Sequence, residues 1–324
     1  MGNCKKVLQA YYKGLYDIED VKLLQMKNMQ RIILIAMCIV ALGALAFGVY
    51  EFKGEFSQKQ KTRVAQVSVQ TLVPAVSPQP QVTPTPTLTP TPTPIPLPDP
   101  AVYGPCKNIP VLMYHHIQPW TEAESKGQKS LTVKNDVFSA QMDYLVKRGY
   151  TAITPKQLHD ALTGMNPVKP VLLTFDDGYA DFYTYAYPEL VKHGFKATMF
   201  LSTGLAEGAD YLKWSQISEM HGSGLITFAN HTWSHKNLGK SSLEMAKFEV
   251  DTAKTQLEEH GLGPVTAFAY PYGTEGGSLI YGVLKDAGIK VAFTTIPGSY
   301  QCAKLPYDVR RTRVGNSSLS SYGL

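Results

Sequence analysis

The chain has 324 residues, a formal net charge of +5 and 44% hydrophobic side chains, enough for one sizeable core. Its charge excess is local: residues 101–324 carry 21 basic and 20 acidic side chains, so the surplus lies nearer the N-terminus. That balance leaves no polyanion footprint and argues against nucleic acid as a partner; no protein partner is expected either.

Residues 1–31 form an N-terminal segment with six basic residues (Lys5, Lys6, Lys13, Lys22, Lys27, Arg31) against three acids (Asp17, Glu19, Asp20). Its start, Met1-Gly2-Asn3-Cys4, has Lys6 where an acylation signal wants Ser or Thr. Ile32 to Tyr50 is an uninterrupted uncharged run, and at about 1.5 Å per residue it reaches roughly 28 Å, the thickness of a bilayer core. A transmembrane helix is expected at 32–50, kept as an anchor in preference to cleavage because 31 residues precede it. The basic flank places the N-terminus in the cytoplasm, so the expected localisation is the cell membrane, single-pass, with the bulk of the chain outside.

Residues 51–105 read as a Pro/Thr-rich stalk, with eleven prolines among the twenty-seven residues from Pro74 to Pro100. From Pro74 to Pro100 such a segment extends at about 3.1 Å per residue, roughly 80 Å. Residues 106–324 read as the folded domain. Cys106 and Cys302 stand near its two ends, where either a disulfide or two separate thiols would suit the sequence.

Within that domain, short apolar runs alternate with amphipathic stretches. Strands are expected at Val111–Tyr114, Tyr150–Ile153, Val171–Phe175, Ala197–Leu201, Leu225–Phe228, Thr266–Tyr270 and Val291–Thr294. Helices are expected at Asn135–Lys147, Pro155–Leu162, Ala180–Lys192, Ser215–Met220, Ser242–His260 and Ser278–Asp286. About seven strands with interleaved helices predict an α/β fold, an incomplete or distorted (β/α) barrel; an open doubly wound sheet is the runner-up.

Two motifs carry chemistry. Thr174-Phe175-Asp176-Asp177-Gly178 follows a buried-strand pattern, and His231-Thr232-Trp233-Ser234-His235 follows another. Imidazoles four residues apart share one face of a helix, and a carboxylate from a distant strand end supplies a third ligand. Three protein ligands leave a coordination position open, the catalytic arrangement of a divalent metal. His115 and His116, after the first strand, and Tyr272-Gly273, after the sixth, fall at the same end of the sheet.

With these residues in view, the chain resembles the polysaccharide deacetylases (carbohydrate esterase family four), most closely the poly-N-acetylglucosamine deacetylase branch, over roughly residues 107–315. The resemblance implies that Asp176 is the general base and that Asp177, His231 and His235 hold the metal, most readily zinc, with cobalt or nickel as alternatives. A third family motif, Arg-x-Pro-Tyr/Phe-Gly, stands here as Ala269-Tyr270-Pro271-Tyr272-Gly273. Its tyrosine N–H, expected to steady an oxyanion, is kept at Tyr272, whereas Ala269 replaces the arginine that orients the base. Arg311 is the candidate substitute for that cation.

The family's late Leu-x-His motif is absent, and His115, in Pro110-Val111-Leu112-Met113-Tyr114-His115, is the expected general acid. Trp214 is a candidate aromatic wall for a sugar ring. The implied activity is hydrolysis of N-acetyl groups on an N-acetylated glycan, peptidoglycan included. An O-acetyl esterase acting on sugars such as xylan, and a wall-glycan-binding protein without turnover, are the alternatives.

Overall fold

The computed structural model describes residues 99–273 and 277–324. The expected transmembrane helix at 32–50 and nearly all of the stalk lie outside the described residues. Among the described residues no helix is long and apolar enough to cross a membrane. The longest of them, Leu243–Glu259, has 17 residues and carries Glu244, Lys247, Asp251, Lys254 and Glu258. The expected membrane localisation is therefore corrected: nothing described supplies an anchor.

The elements run in the order α1 (Pro100–Tyr103), β1 (Cys106–Asn108), β2 (Val111–Tyr114), β3 (His116–Gln118), α2 (Trp120–Ser125), β4 (Thr132–Lys134), α3 (Asn135–Lys147), β5 (Thr151–Ala152), α4 (Pro155–Thr163), β6 (Pro170–Asp177), α5 (Tyr187–His193), β7 (Ala197–Leu201), α6 (Trp214–Gly222), β8 (Ile226–Asn230), α7 (Leu243–Glu259), β9 (Ala267–Ala269), α8 (Gly277–Asp286), β10 (Val291–Phe293), β11 (Tyr300–Cys302) and β12 (Thr312–Arg313). Helix starts follow local chemistry. Thr154 and Gln157 form a reciprocal capping box ahead of Pro155 in α4, and the Ser242 hydroxyl accepts the Met245 N–H at the start of α7.

The main sheet is parallel, in the order β10-β9-β8-β7-β6-β2-β12, with β5 added beside the start of β6. Its central strand, β6, is buried from Val171 to Asp177, as a strand covered on both faces must be. The residues alternate between two cores. Leu173 and Phe175 face the helices in a cluster with Phe138, Phe182 and Leu190. Leu172 faces the other way, into an inner cluster with Val111, Phe200, Ala229, Ala269, Phe293 and Val309.

The sheet curls so far that one segment touches both of its edges. Val309 bridges Phe293 in parallel and the Arg311 N–H reaches the Ile296 carbonyl, while Thr312 and Arg313 pair with Leu112 and Met113 of β2. This is the curled, incomplete (β/α) barrel, not the open doubly wound sheet. Two small sheets flank it: β1 pairs antiparallel with β11 and β3 pairs in parallel with β4. In the first, Cys106 lies directly opposite Cys302, and the two form a disulfide.

Candidate active site

By the alternation of β6, Asp176 shares the inner face with Leu172 and Thr174. There its carboxylate meets the fully buried Arg311, whose two terminal nitrogens donate to Oδ1 and Oδ2 at 2.7 and 2.8 Å. The guanidinium is held from behind, with Nε donating to the Thr294 carbonyl at 2.7 Å. Burial pushes the Asp176 carboxyl up, but the charge of Arg311 and then of His231 outweighs it and holds the group below its ordinary value. Ala269, where the resemblance expects an arginine, lines the inner apolar cluster.

Asp177 leaves the pleat. Its φ of 76°, followed by 86° at Gly178, turns the chain at the strand end. A Cβ on Gly178 would stand 2.3 Å from Leu201 Cδ1, so only glycine fits the turn. Released from the alternation, the Asp177 carboxylate lies 3.2 Å from His231 Nε2 and 3.1 Å from His235 Nε2.

The two histidines do not share a helix, as their spacing suggests. They sit in a loop after β8, with Thr232 and His235 in left-handed conformations at φ of 64° and 59°. Polar anchors replace the helix: Asn230 Oδ1 accepts the Thr232 N–H at 2.8 Å, and the buried Glu249 of α7 accepts the Ser234 N–H and hydroxyl at 2.8 and 2.6 Å. On the inner side, His231 Nδ1 meets the Ala269 carbonyl at 2.8 Å. A carbonyl is only an acceptor, so Nδ1 carries the proton and Nε2 of the neutral ring offers a lone pair.

One ligand atom from each of Asp177, His231 and His235 lies within 4.8 Å of the others. Asp177 Oδ1 is buried without a hydrogen bond. Lone pairs converging on a buried spot repel unless a cation lies among them, and oxygen plus two imidazoles is a donor set that suits a divalent metal. The electrostatics agree. Burial would push the His231 imidazole down, but the adjoining Asp177 and Asp176 raise it, so positive charge is favoured there. Burial likewise opposes ionisation of Asp177, yet the adjoining His231 and His235 hold its carboxyl well below the carboxylate range.

His115 follows β2 and lines a polar cavity of about 300 Å³ with Lys129, Arg313, Asn316 and Tyr322. Burial lowers its imidazole, against the pull of Asp176 and Asp177. Tyr272 stands at φ 62° in the turn after β9, 67% exposed, its ring 4.8 Å from that of His235. Trp214 is not brought to this cluster: its indole stacks on His260 at 3.7 Å.

Sequence reasoning overlooked Glu249, the anchor of the histidine loop, and the pair His116 Nδ1–Asp181 Oδ2 at 2.5 Å. The His116 ring stacks on Tyr179 at 3.6 Å, and Tyr179 in turn stacks on Tyr211. Tyr179 and Asp181 follow Gly178 closely in the sequence, but no local pattern marks Glu249.

A family model described as polysaccharide deacetylase matches residues 163–296. The protein YxkH of Bacillus subtilis (strain 168), which bears the polysaccharide deacetylase name, is 33% identical over 220 residues, 66% of this chain and 75% of that protein. The poly-beta-1,6-N-acetyl-D-glucosamine N-deacetylase of Escherichia coli (strain K12) is 25% identical over 67% of this chain, which spans only 38% of that longer protein. Among solved structures, the Streptococcus pyogenes deacetylase PplD in complex with acetate superposes with a TM-score of 0.61 at 29% identity, over 66% of this chain and 97% of that one. IcaB from Ammonifex degensii gives 0.57 at 28% identity, over 67% and 94%. The chain belongs to the polysaccharide deacetylase family and is a polysaccharide deacetylase, a hydrolase.

Proposed function

We propose that this protein removes acetyl groups from the nitrogen of N-acetylglucosamine units in a polysaccharide or in peptidoglycan, in a metal-dependent reaction. The observation that carries this reading is the approach of Asp177 Oδ1 to the Nε2 atoms of His231 and His235 at 3.2 and 3.1 Å, beside a second buried carboxylate whose partner is an arginine. Relatives in Escherichia coli and Staphylococcus aureus named poly-beta-1,6-N-acetyl-D-glucosamine N-deacetylases support the substrate class.

Asp177, His231 and His235 would hold a divalent ion, zinc by the character of the donors, with cobalt or nickel as alternatives. Such an ion, when bound, polarises a carbonyl and lowers the pKa of water. Asp176 then accepts the proton of the attacking water. It is fitted to that task because Arg311 keeps it ionised and fixes its direction.

As the water oxygen bonds to the acetyl carbon, charge grows on the carbonyl oxygen, and the backbone N–H of Tyr272 is the protein dipole assigned to steady it. His115, in its imidazolium form, gives a proton to the nitrogen as the carbon–nitrogen bond breaks, so that acetate and a free amine leave. An amide nitrogen departs poorly without that proton, which is why an acid is needed opposite the base. Acetate release from N-acetylglucosamine oligomers, with and without chelator and added zinc, tests this. Release from acetylated xylan alone would favour the ester reading instead.

A further inference from the structure

Sheet order sets two open grooves on opposite sides of the Asp176–Asp177 pair. The cavity at His115 lies toward β2 and β12, and a groove of about 370 Å³ lies toward β8 and β9, lined by His235, Lys236, Asn237, Lys240, Ser241 and Tyr272. Among the described residues neither lining contains a carboxylate, although the domain as a whole is nearly balanced in charge. Each holds two cations: Lys129 and Arg313 on one side, Lys236 and Lys240 on the other.

The two pairs differ in how far they are already satisfied. Lys129 shares its charge with Glu124, and Arg313 donates to the Ser130 carbonyl at 2.8 Å, which fixes it at the groove lip. Lys236 and Lys240 are exposed, and among the described residues neither has a carboxylate within 4.0 Å. A neutral glycan could take only hydrogen bonds from this second pair, whereas an anionic one would also gain charge attraction from two ammoniums beside an exposed aromatic ring.

We propose that Lys236 and Lys240 are specificity-determining residues that select glycans bearing a carboxylate close to the N-acetylated sugar, as the lactyl ether of peptidoglycan does. This rests on the deacetylase reading above. Attraction between exposed charges is modest and salt-screened, so the preference should be a matter of about tenfold and should fade at high ionic strength.

The test compares the full chain with Lys240→Gln and with the double variant Lys236→Gln/Lys240→Gln. Acetate release and equilibrium binding are measured on peptidoglycan glycan strands, on a phosphate-bearing N-acetylglucosamine polymer and on neutral N-acetylglucosamine hexamer, at low and high salt. The expected result is that the ratio of kcat/KM on strands to that on hexamer falls roughly tenfold in the double variant, and that Lys→Arg at both positions restores it. An unchanged ratio, or a stronger preference for a phosphate-bearing glycan, would overturn the proposal. Binding keeps the two readings apart. Lysine-dependent retention of strands without acetate release would sustain the specificity and sink the proposed chemistry, whereas release from both glycans at a lysine-independent ratio would do the reverse.

Discussion

Arg311 and Asp176, 135 residues apart in the chain, meet inside the barrel as a two-pronged ion pair at 2.7 and 2.8 Å. Among the described residues Arg311 has no other carboxylate partner, and Asp176 has no other arginine or lysine partner. Arg311→Met would leave a buried carboxylate unpaired, and the expected loss of stability is about 3–5 kcal/mol in denaturant unfolding. Arg311→Lys keeps the charge but not the fork. It should be milder in stability while still lowering acetate turnover at least tenfold, because Asp176 loses its fixed direction.

The histidine loop depends on Glu249. Glu249→Gln removes the charge from its bonds to Ser234, and a destabilisation of about 1–3 kcal/mol is expected in thermal unfolding. If the loop carries the ligand His235 as argued, zinc dissociation measured by chelator competition should also speed up.

Gly273 is fixed by contact as much as by conformation. At φ 71°, a Cβ there would lie 1.8 Å from Thr295 Oγ1. Gly273→Ala should therefore cost about 1–3 kcal/mol of stability and shift the neighbouring Tyr272 backbone, lowering turnover more than substrate affinity in a kcat and KM comparison.

The disulfide between Cys106 and Cys302 closes a loop of 196 residues. The paired variant Cys106→Ser/Cys302→Ser should be less stable by about 2–5 kcal/mol, and wild type should move toward it when reductant is added during unfolding. An unchanged midpoint in both would assign the bridge no part in holding β1 to β11.

Several strands could be read directly because parallel strands, covered on both faces, are continuous apolar runs. Val111–Tyr114 and Ala197–Leu201 stand as expected, and Asn135–Lys147 is a helix to the residue. The closure of the barrel could not be read, since its bridging segment contains Arg310 and Arg311 and looks like a solvated edge. The strand pair β1–β11 joins positions too far apart for any local pattern. A four-residue spacing of histidines is ambiguous in the same way: a helix and a loop with left-handed residues both bring the rings together, and only the tertiary contact with Glu249 decides. Trp214 had no local feature to distinguish a sugar platform from packing against His260.

The division of labour between adjacent carboxylates is the centre of the account, and Asp176→Asn addresses it most directly. Zinc content and acetate release from N-acetylglucosamine oligomers should be measured on the same preparation of wild type and variant. The account predicts full zinc occupancy with turnover reduced by roughly 10²–10⁴. Retained turnover in Asp176→Asn, or loss of zinc together with activity, would contradict it.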